Sequence, residues 1–100
     1  MEKTHFVFAP DLAASIAWYN ALLGSTPVAD GHRIRYCLAH EEVILTTWGR
    51  VGQHRLALDS LREVRRHLAT DSAEAIPTVD FVFCHDPAGN KVLFVHTRSV

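Results

Sequence analysis

Residues 11–24 have the sequence DLAASIAWYNALLG, which combines the start, the apolar stripe and the end of an amphipathic helix. Asp11 predicts the N-cap, because its carboxylate can accept hydrogen bonds from the free amides of the first turn. Apolar side chains recur at helical spacing along one face, at Leu12, Ile16, Tyr19 and Leu23. Gly24 predicts the end, since glycine readily adopts the left-handed conformation that closes a helix.

Strand patterns lie on both sides of this helix. Residues 4–9 are rich in aromatic and β-favouring types, and three more extended stretches are predicted at 26–30, 33–39 and 43–48. A polar turn at residues 40–42 separates the last two stretches. The first half of the chain is therefore predicted to contain a strand, a helix and then further strands.

The second half repeats this order. Residues 53–58 predict a strand, and Ser60 predicts the N-cap of a helix at 61–69 whose apolar stripe is Leu61, Val64 and Leu68. After a loop at 70–78, two strands are predicted at 79–85 and 91–97. The tight turn Asp86-Pro87-Ala88-Gly89-Asn90 joins them, with Gly89 suited to the left-handed conformation of a bulged hairpin.

The two halves also match in detail. His5 lies seven residues before Leu12, and His54 lies seven residues before Leu61. We therefore predict one α+β domain over residues 1–100, with module one at about 1–49 and module two at about 50–100. Two similar halves predict pseudo-twofold symmetry with a cleft at or near the axis.

Composition restricts the partners. Apolar residues make up 48% of the chain, and ten basic against eleven acidic residues give a net charge of −1, so nucleic-acid binding is not expected. The apolar stretches have strand length and the N-terminus lacks a signal-peptide pattern, so we expect no membrane partner and a cytoplasmic location. Cys37 and Cys84 lie inside apolar runs, which favours buried free thiols over a disulfide.

Two stretches resemble motifs of the glyoxalase/bleomycin resistance protein/dioxygenase (vicinal oxygen chelate) superfamily. Residues 11–24 resemble its first helix, and residues 86–90, followed by an apolar strand, resemble its last hairpin. The motifs lie near opposite ends of the chain, so the resemblance spans nearly all of it. It implies two βαβββ modules with mixed sheets curved around a cleft and helices on the outer face.

The resemblance also implies where a metal would bind. In the metal-using members, each module supplies a His or Gln at the start of its first strand and a Glu in its last strand. By spacing from the two motifs, these positions fall on Thr4, Gln53, Ile44 and Leu93. Aliphatic side chains are not metal ligands, so the chain resembles the bleomycin-resistance-like branch without a metal, and no cofactor is expected. A shift of one residue would instead place His5 and His54 at the first positions, and this alternative stays open.

Strict alternation along the strands predicts an apolar face with aromatic and a few charged side chains, opposite the helices. Such a face suits a small, partly planar organic ligand, or it is filled by side chains or by a partner subunit. The predicted ligand-binding residues are Phe6, Phe8, Arg35, Ile44, Thr46, Trp48, Gln53, Arg55, Asp80 and Leu93. The same alternation places Cys37, Val82, Cys84, Lys91 and Val95 beside them.

The first functional hypothesis is a small-molecule binding protein, for an aromatic or antibiotic-like compound, without metal catalysis and without catalytic residues. One alternative is a metal-dependent lyase, isomerase or dioxygenase of the same superfamily. Another is a structural or regulatory dimer module with a closed cleft. A homodimer is expected, because so short a chain leaves sheet edges and one open face with little cover.

Overall fold

The computed structural model describes residues 3–31, 33–68 and 81–97. Two helices and seven strands follow one another in this part of the chain. They are β1 (Lys3–Phe8), α1 (Leu12–Leu23), β2 (Val28–Asp30), β3 (Arg33–Cys37), β4 (Glu41–Thr46), β5 (Gln53–Leu58), α2 (Arg62–Leu68), β6 (Phe81–His85) and β7 (Lys91–His96). The strands form two sheets, in the orders β1-β4-β3-β2 and β5-β7-β6.

The two sheets are built in the same way. β1 pairs in parallel with β4 as β5 pairs with β7, and β3 runs antiparallel to β4 as β6 does to β7. A parallel pair needs a crossover connection, and each helix lies within one. The α+β class and the repeat of two modules are therefore confirmed. Module two has three strands in its described part, and residues 69–80 lie outside the described residues.

Helix α1 begins and ends where the sequence predicts. The Asp11 side chain accepts a hydrogen bond from the Ala14 amide at 3.2 Å, as an N-cap should. Gly24 has a φ of 65° and donates its N–H to the carbonyl of Asn20 at 3.0 Å. Only a residue that tolerates the left-handed region closes a helix in this way without strain.

One apolar core joins the two modules. Strands of both sheets contribute alternate side chains to it, and α1 packs against α2. The buried members are Val7, Ala9, Tyr19, Leu22, Tyr36, Val43, Leu45, Leu56, Leu58, Leu61, Val64, Val92 and Phe94. The opposite side of each sheet is called here its open face. In the described ranges, neither helix has the length and apolar character needed to cross a membrane.

Strand β4 differs from its prediction at both ends. It begins at Glu41, so the polar turn predicted at residues 40–42 was wrong for Glu41 and Glu42, because these two residues extend the parallel ladder by pairing with Lys3 and Thr4. It ends at Thr46, so Trp48 lies beyond the strand rather than closing it. The Trp48 side chain is 73% exposed.

Strand β6 has the opposite facing from the predicted one. Val82 pairs with Phe94 and Cys84 with Val92, so both face the core, while Phe81 and Phe83 lie on the open face. The prediction of a buried Cys37 was also wrong, because this residue sits at the exposed end of β3. Both cysteines are free, and Cys84 is half-buried.

Candidate functional site

A cavity of about 460 Å³ lies where the start of β1 meets the open face of module two, and we call it the seam cavity. Residues from both modules form its wall. They are Lys3, His5, Gln53, His54, Arg55, Phe83, Lys91 and Leu93.

The strand register explains why these side chains lie together. Arg55 is paired with Leu93, and Leu93 with Phe83, so these three residues form a row across the open face of module two. Gln53 and Lys91 form the adjacent row. Neighbouring strands lie about 4.8 Å apart, so side chains within one row are in contact range.

Two histidines mark the junction between the modules. The rings of His5 and His54 are 6.0 Å apart and meet edge to face. His5 is buried, and its Nε2 atom lies 3.3 Å from the Glu41 carboxylate, without the alignment of a hydrogen bond to any described group. The same carboxylate accepts a hydrogen bond from the Ala57 amide of β5 at 3.1 Å. Glu41 therefore ties the first sheet to the free edge of the second.

The protonation of His54 follows from this position. Burial and the neighbouring His5 lower the pKa of His54 below its ordinary value, and the charge of Asp86 opposes this shift. The imidazole is therefore neutral near pH 7, with one donor and one acceptor nitrogen. It offers the cavity a polar contact rather than a fixed charge.

A buried polar network holds the hairpin of module two against module one. The Asp86 carboxylate accepts hydrogen bonds from the Tyr19 hydroxyl at 2.7 Å and from the backbone and side-chain amides of Asn90, both at 2.8 Å. Asn90 in turn donates to the carbonyl of Phe8 at 2.7 Å and accepts from the Gly52 amide at 2.9 Å. The motif at residues 86–90 thus fixes β1, α1 and the start of β5 relative to one another.

The network also raises the pKa of two side chains that lie beside it, Tyr19 and Cys84. Burial, together with the adjacent Asp86 carboxylate, raises the pKa of Tyr19 far above its usual range. Burial and Asp86 likewise raise the pKa of Cys84 to about 12. Because the thiolate is the reactive form of cysteine, Cys84 is a packing residue rather than a nucleophile.

The four positions at which the family resemblance implies metal ligands do not fit a metal. Thr4 donates its hydroxyl to Glu42 at 2.8 Å, Ile44 is buried, and Leu93 is aliphatic, which leaves Gln53. Within residues 3–31, 33–68 and 81–97, no three His, Cys, Asp or Glu side chains are grouped so that they could hold a metal ion. The register places His5 beside Val43 and His54 beside Val92, on the core side of their strands, although both rings also reach the seam cavity. The alternative in which these two histidines take the first ligand positions stays a prediction.

The predicted site residues separate into two sets. Gln53, Arg55 and Leu93 line the seam cavity. The others in the described part lie on module one, where Phe6 and Arg35 flank Ile44, Phe8 pairs with Thr46, and Trp48 follows the strand. Asp80 lies outside the described residues.

Five lining residues were not among the predicted site residues. They are Lys3, His5, His54, Phe83 and Lys91. Alternation had placed Lys91 on the correct face. Phe83 was missed because β6 was predicted to face the opposite way. No local pattern connects Lys3 and His5 with module two, because that contact depends on how the modules pack.

Solved structures resemble this fold throughout. A glyoxalase/bleomycin resistance protein from Catenulispora acidiphila is 20% identical and matches with a TM-score of 0.72 over 97% of this chain and 98% of that one. A lactoylglutathione lyase from Agrobacterium tumefaciens is 18% identical, with a TM-score of 0.66 over 99% and 95% of the two chains. An antibiotic binding protein from a Streptomyces species is 15% identical, with a TM-score of 0.64 over 96% and 94%. No protein-family model and no curated protein matches the chain.

The chain therefore has the fold of the glyoxalase/bleomycin resistance proteins, the vicinal oxygen chelate fold. This confirms the resemblance of residues 11–24 and 86–90 at the level of fold. The names of the three similar structures include both an enzyme and a binding protein, so function has to be argued from the site.

Proposed function

We propose that this protein binds a small organic molecule in the seam cavity and does so without a catalytic metal. The observation that supports binding is the cavity itself. Its volume of about 460 Å³ is that of a small-molecule site. Phe83 and Leu93 provide an apolar surface, while Gln53, Arg55 and His54 provide the few polar groups that orient a ligand.

The absence of metal catalysis is proposed from the donor groups. A divalent ion needs three or four imidazole, carboxylate, thiolate or amide ligands around one point. The four implied positions offer one amide and one hydroxyl that is already bonded to Glu42. This favours a binding protein over a metal-dependent lyase, isomerase or dioxygenase.

An aromatic or antibiotic-like ligand is the specific form of this proposal. One similar structure is an antibiotic binding protein, and the Phe83 ring provides a surface on which a planar compound can stack. The Phe83 ring already meets His85 edge to face, with centroids 5.4 Å apart, which restricts its orientation.

A homodimer is proposed from the exposed aromatic side chains. Phe6 on module one and Phe81 and Phe83 on module two are each 55% exposed. Apolar surface of this kind marks interaction sites, and a twofold contact is the commonest way to cover it. In such a dimer, the open face of module one adds Phe6, Phe8, Arg35, Ile44 and Thr46 to the ligand site.

A cytoplasmic location is proposed from the two free cysteines.

A thermal-shift screen of planar aromatic compounds tests binding, since a ligand that binds only the folded state raises Tm. We expect hits that raise Tm in the parent and not in Phe83→Ala, a variant whose folding is checked by its melting curve without ligand.

Elemental analysis of protein purified without a histidine tag should find no stoichiometric transition metal. One tightly held zinc, nickel, iron or manganese per chain contradicts the proposal. Light scattering at micromolar concentration should give twice the chain mass.

A further inference from the structure

We infer that the ligand of the seam cavity is an organic anion, with a planar apolar body and one carboxylate, sulfonate or phosphate group. This inference rests on the proposed function, because it names the class of compound that the same cavity binds.

The first argument is the charge of the wall. Lys3, Arg55 and Lys91 all line the cavity, and the lining residues include no aspartate or glutamate. The chain as a whole has a net charge of −1, so this local excess of positive charge runs against the overall balance. A cavity lined by charges of one sign concentrates ligands of the opposite sign.

The second argument concerns the ion pairs that these cations form with the described residues. Among the described residues, Arg35 lies 3.9 Å from Glu42, and His5 lies 3.3 Å from Glu41. No described carboxylate forms an ion pair with Lys3, Arg55 or Lys91. Glu41, the register partner of Lys3, lies 3.3 Å from His5 Nε2 and accepts a hydrogen bond from the Ala57 amide at 3.1 Å.

The third argument is the geometry of the two rows. Arg55 and Lys91 lie on one face of neighbouring strands, two positions apart in register, which places their Cα atoms roughly 8 Å apart. Both side chains are long enough for their charged ends to meet at one anionic group between them. Leu93 and Phe83 continue the row of Arg55, so the apolar body of the same compound lies against them.

The wall thus selects against the other ligand classes. A cationic compound would meet three like charges at short range, within the Debye length of about 8 Å at physiological salt. A neutral compound would gain the apolar contact but would form no charged interaction with the three cations. An anion alone uses both halves of the site, through charge-assisted hydrogen bonds and through stacking.

A matched pair of probes tests the inference on the full chain. 1-Anilinonaphthalene-8-sulfonate and N-phenyl-1-naphthylamine have the same aromatic body and differ in the sulfonate. By fluorescence titration and calorimetry, we expect the sulfonate probe to bind about tenfold more tightly, and this preference to shrink as salt is added. Arg55→Gln and Lys91→Gln should each weaken the sulfonate probe about five- to tenfold and leave the neutral probe within about twofold.

Arg62→Gln is the matched control, because it removes one exposed arginine charge from α2, away from the cavity. It should leave both affinities unchanged. If the neutral probe binds as tightly as the sulfonate probe, and both lose affinity in Phe83→Ala, the anion inference is overturned while the proposed binding function stands. If both probes bind but are indifferent to Phe83→Ala, they bind elsewhere, and the inference also fails. If neither the probes nor any compound of the screen binds, the proposed function itself fails.

Discussion

The open faces of the two modules occupy equivalent places in one repeated architecture, yet their charges are arranged in opposite ways. The pairing registers match position by position. The row Thr4–Glu42–Cys37 of module one corresponds to Gln53–Lys91–His85 of module two, and the row Phe6–Ile44–Arg35 corresponds to Arg55–Leu93–Phe83. An acid in one module thus stands where the other has a base, and the aromatic and arginine positions are exchanged.

The difference shows how one scaffold can place an acid beside a base on one face and, on the other, two bases with no described acid paired to them. On module one, Glu42 accepts a hydrogen bond from Thr4 and lies 3.9 Å from Arg35, so this acid and this arginine lie side by side. The Arg33 guanidinium lies 6.0 Å from the centroid of the Phe6 ring. On module two, Lys91 replaces the acid, and no described carboxylate pairs with Arg55 or Lys91. Among the described residues, the cations of this second face therefore have no paired acid, and we propose that an anionic ligand supplies the counter-charge.

The largest expected effect comes from breaking the network that holds the two faces in place. Asp86→Ala leaves the Tyr19 hydroxyl and the Asn90 amide buried without their acceptor, which should lower the free energy of unfolding by about 3–4 kcal/mol. Asp11→Ala is the matched control, because Asp11 is exposed and accepts one backbone hydrogen bond, and it should cost about 1 kcal/mol. Urea denaturation measures both variants. Equal losses would show that the network does not fix the modules.

The fold was predictable where local chemistry determines the conformation. Residues 11–24 and 86–90 contain their own caps and turns, so their conformations follow from local chemistry that the sequence displays directly. The bounds of α1 agree with the prediction for this reason, and those of β5 agree as well. Strand β4 began earlier than predicted, because Glu41 and Glu42 are polar and their strand pairing with β1 is a tertiary effect.

The site was less predictable, for two physical reasons. In β6, Phe81, Val82, Phe83 and Cys84 are all apolar, so alternation cannot tell which pair faces the core. The facing was decided instead by packing of Val82 and Cys84 against the core residues Phe94 and Val92. The meeting of β1 with module two depends on how two sheets dock, which no spacing along the chain encodes.

A charge reversal makes the two faces alike and should have the next largest effect. Lys91→Glu places an acid at the position equivalent to Glu42, beside Arg55, so the face becomes internally neutralised. We expect the affinity for 1-anilinonaphthalene-8-sulfonate to fall about 30- to 100-fold, beyond the loss in Lys91→Gln, because repulsion is added to the lost attraction. Calorimetry gives both values. If the reversal is no worse than Lys91→Gln, the charge difference between the faces does not govern binding.

The two junction histidines, His5 and His54, predict how the free energy of unfolding depends on pH. His5 and His54 occupy equivalent positions, and burial and His5 lower the pKa of His54. The folded state then binds fewer protons at His54 than the unfolded state, so this contribution to stability is complete above the unfolded pKa of about 6.5. It is lost as the pH falls below that value toward the lower folded pKa. We expect the free energy of unfolding to decrease from pH 7.5 to 5.5, and the decrease to be smaller in His54→Gln. Parallel curves for parent and variant would contradict this.

The smallest effect is expected at Trp48, which tests whether the face of module one takes any part in binding. Its side chain is 73% exposed beyond the end of β4, and its carbonyl accepts a hydrogen bond from the Thr46 hydroxyl, a bond that alanine preserves. Trp48→Ala should therefore change the free energy of unfolding by less than about 0.5 kcal/mol. If a second copy lays this face over the seam cavity as proposed, affinity for the sulfonate probe should fall about two- to threefold, since an indole at the rim of a site contributes modestly. Trp18 packs on Tyr19 and Phe94, so Trp18→Phe serves as the background in which Trp48 emission is followed alone. A loss of several kcal/mol would mean that Trp48 packs as a core residue does. If Trp48→Ala leaves the affinity unchanged and Trp48 emission in Trp18→Phe does not respond to the probe, the probe contacts module two alone and Trp48 is not part of the site.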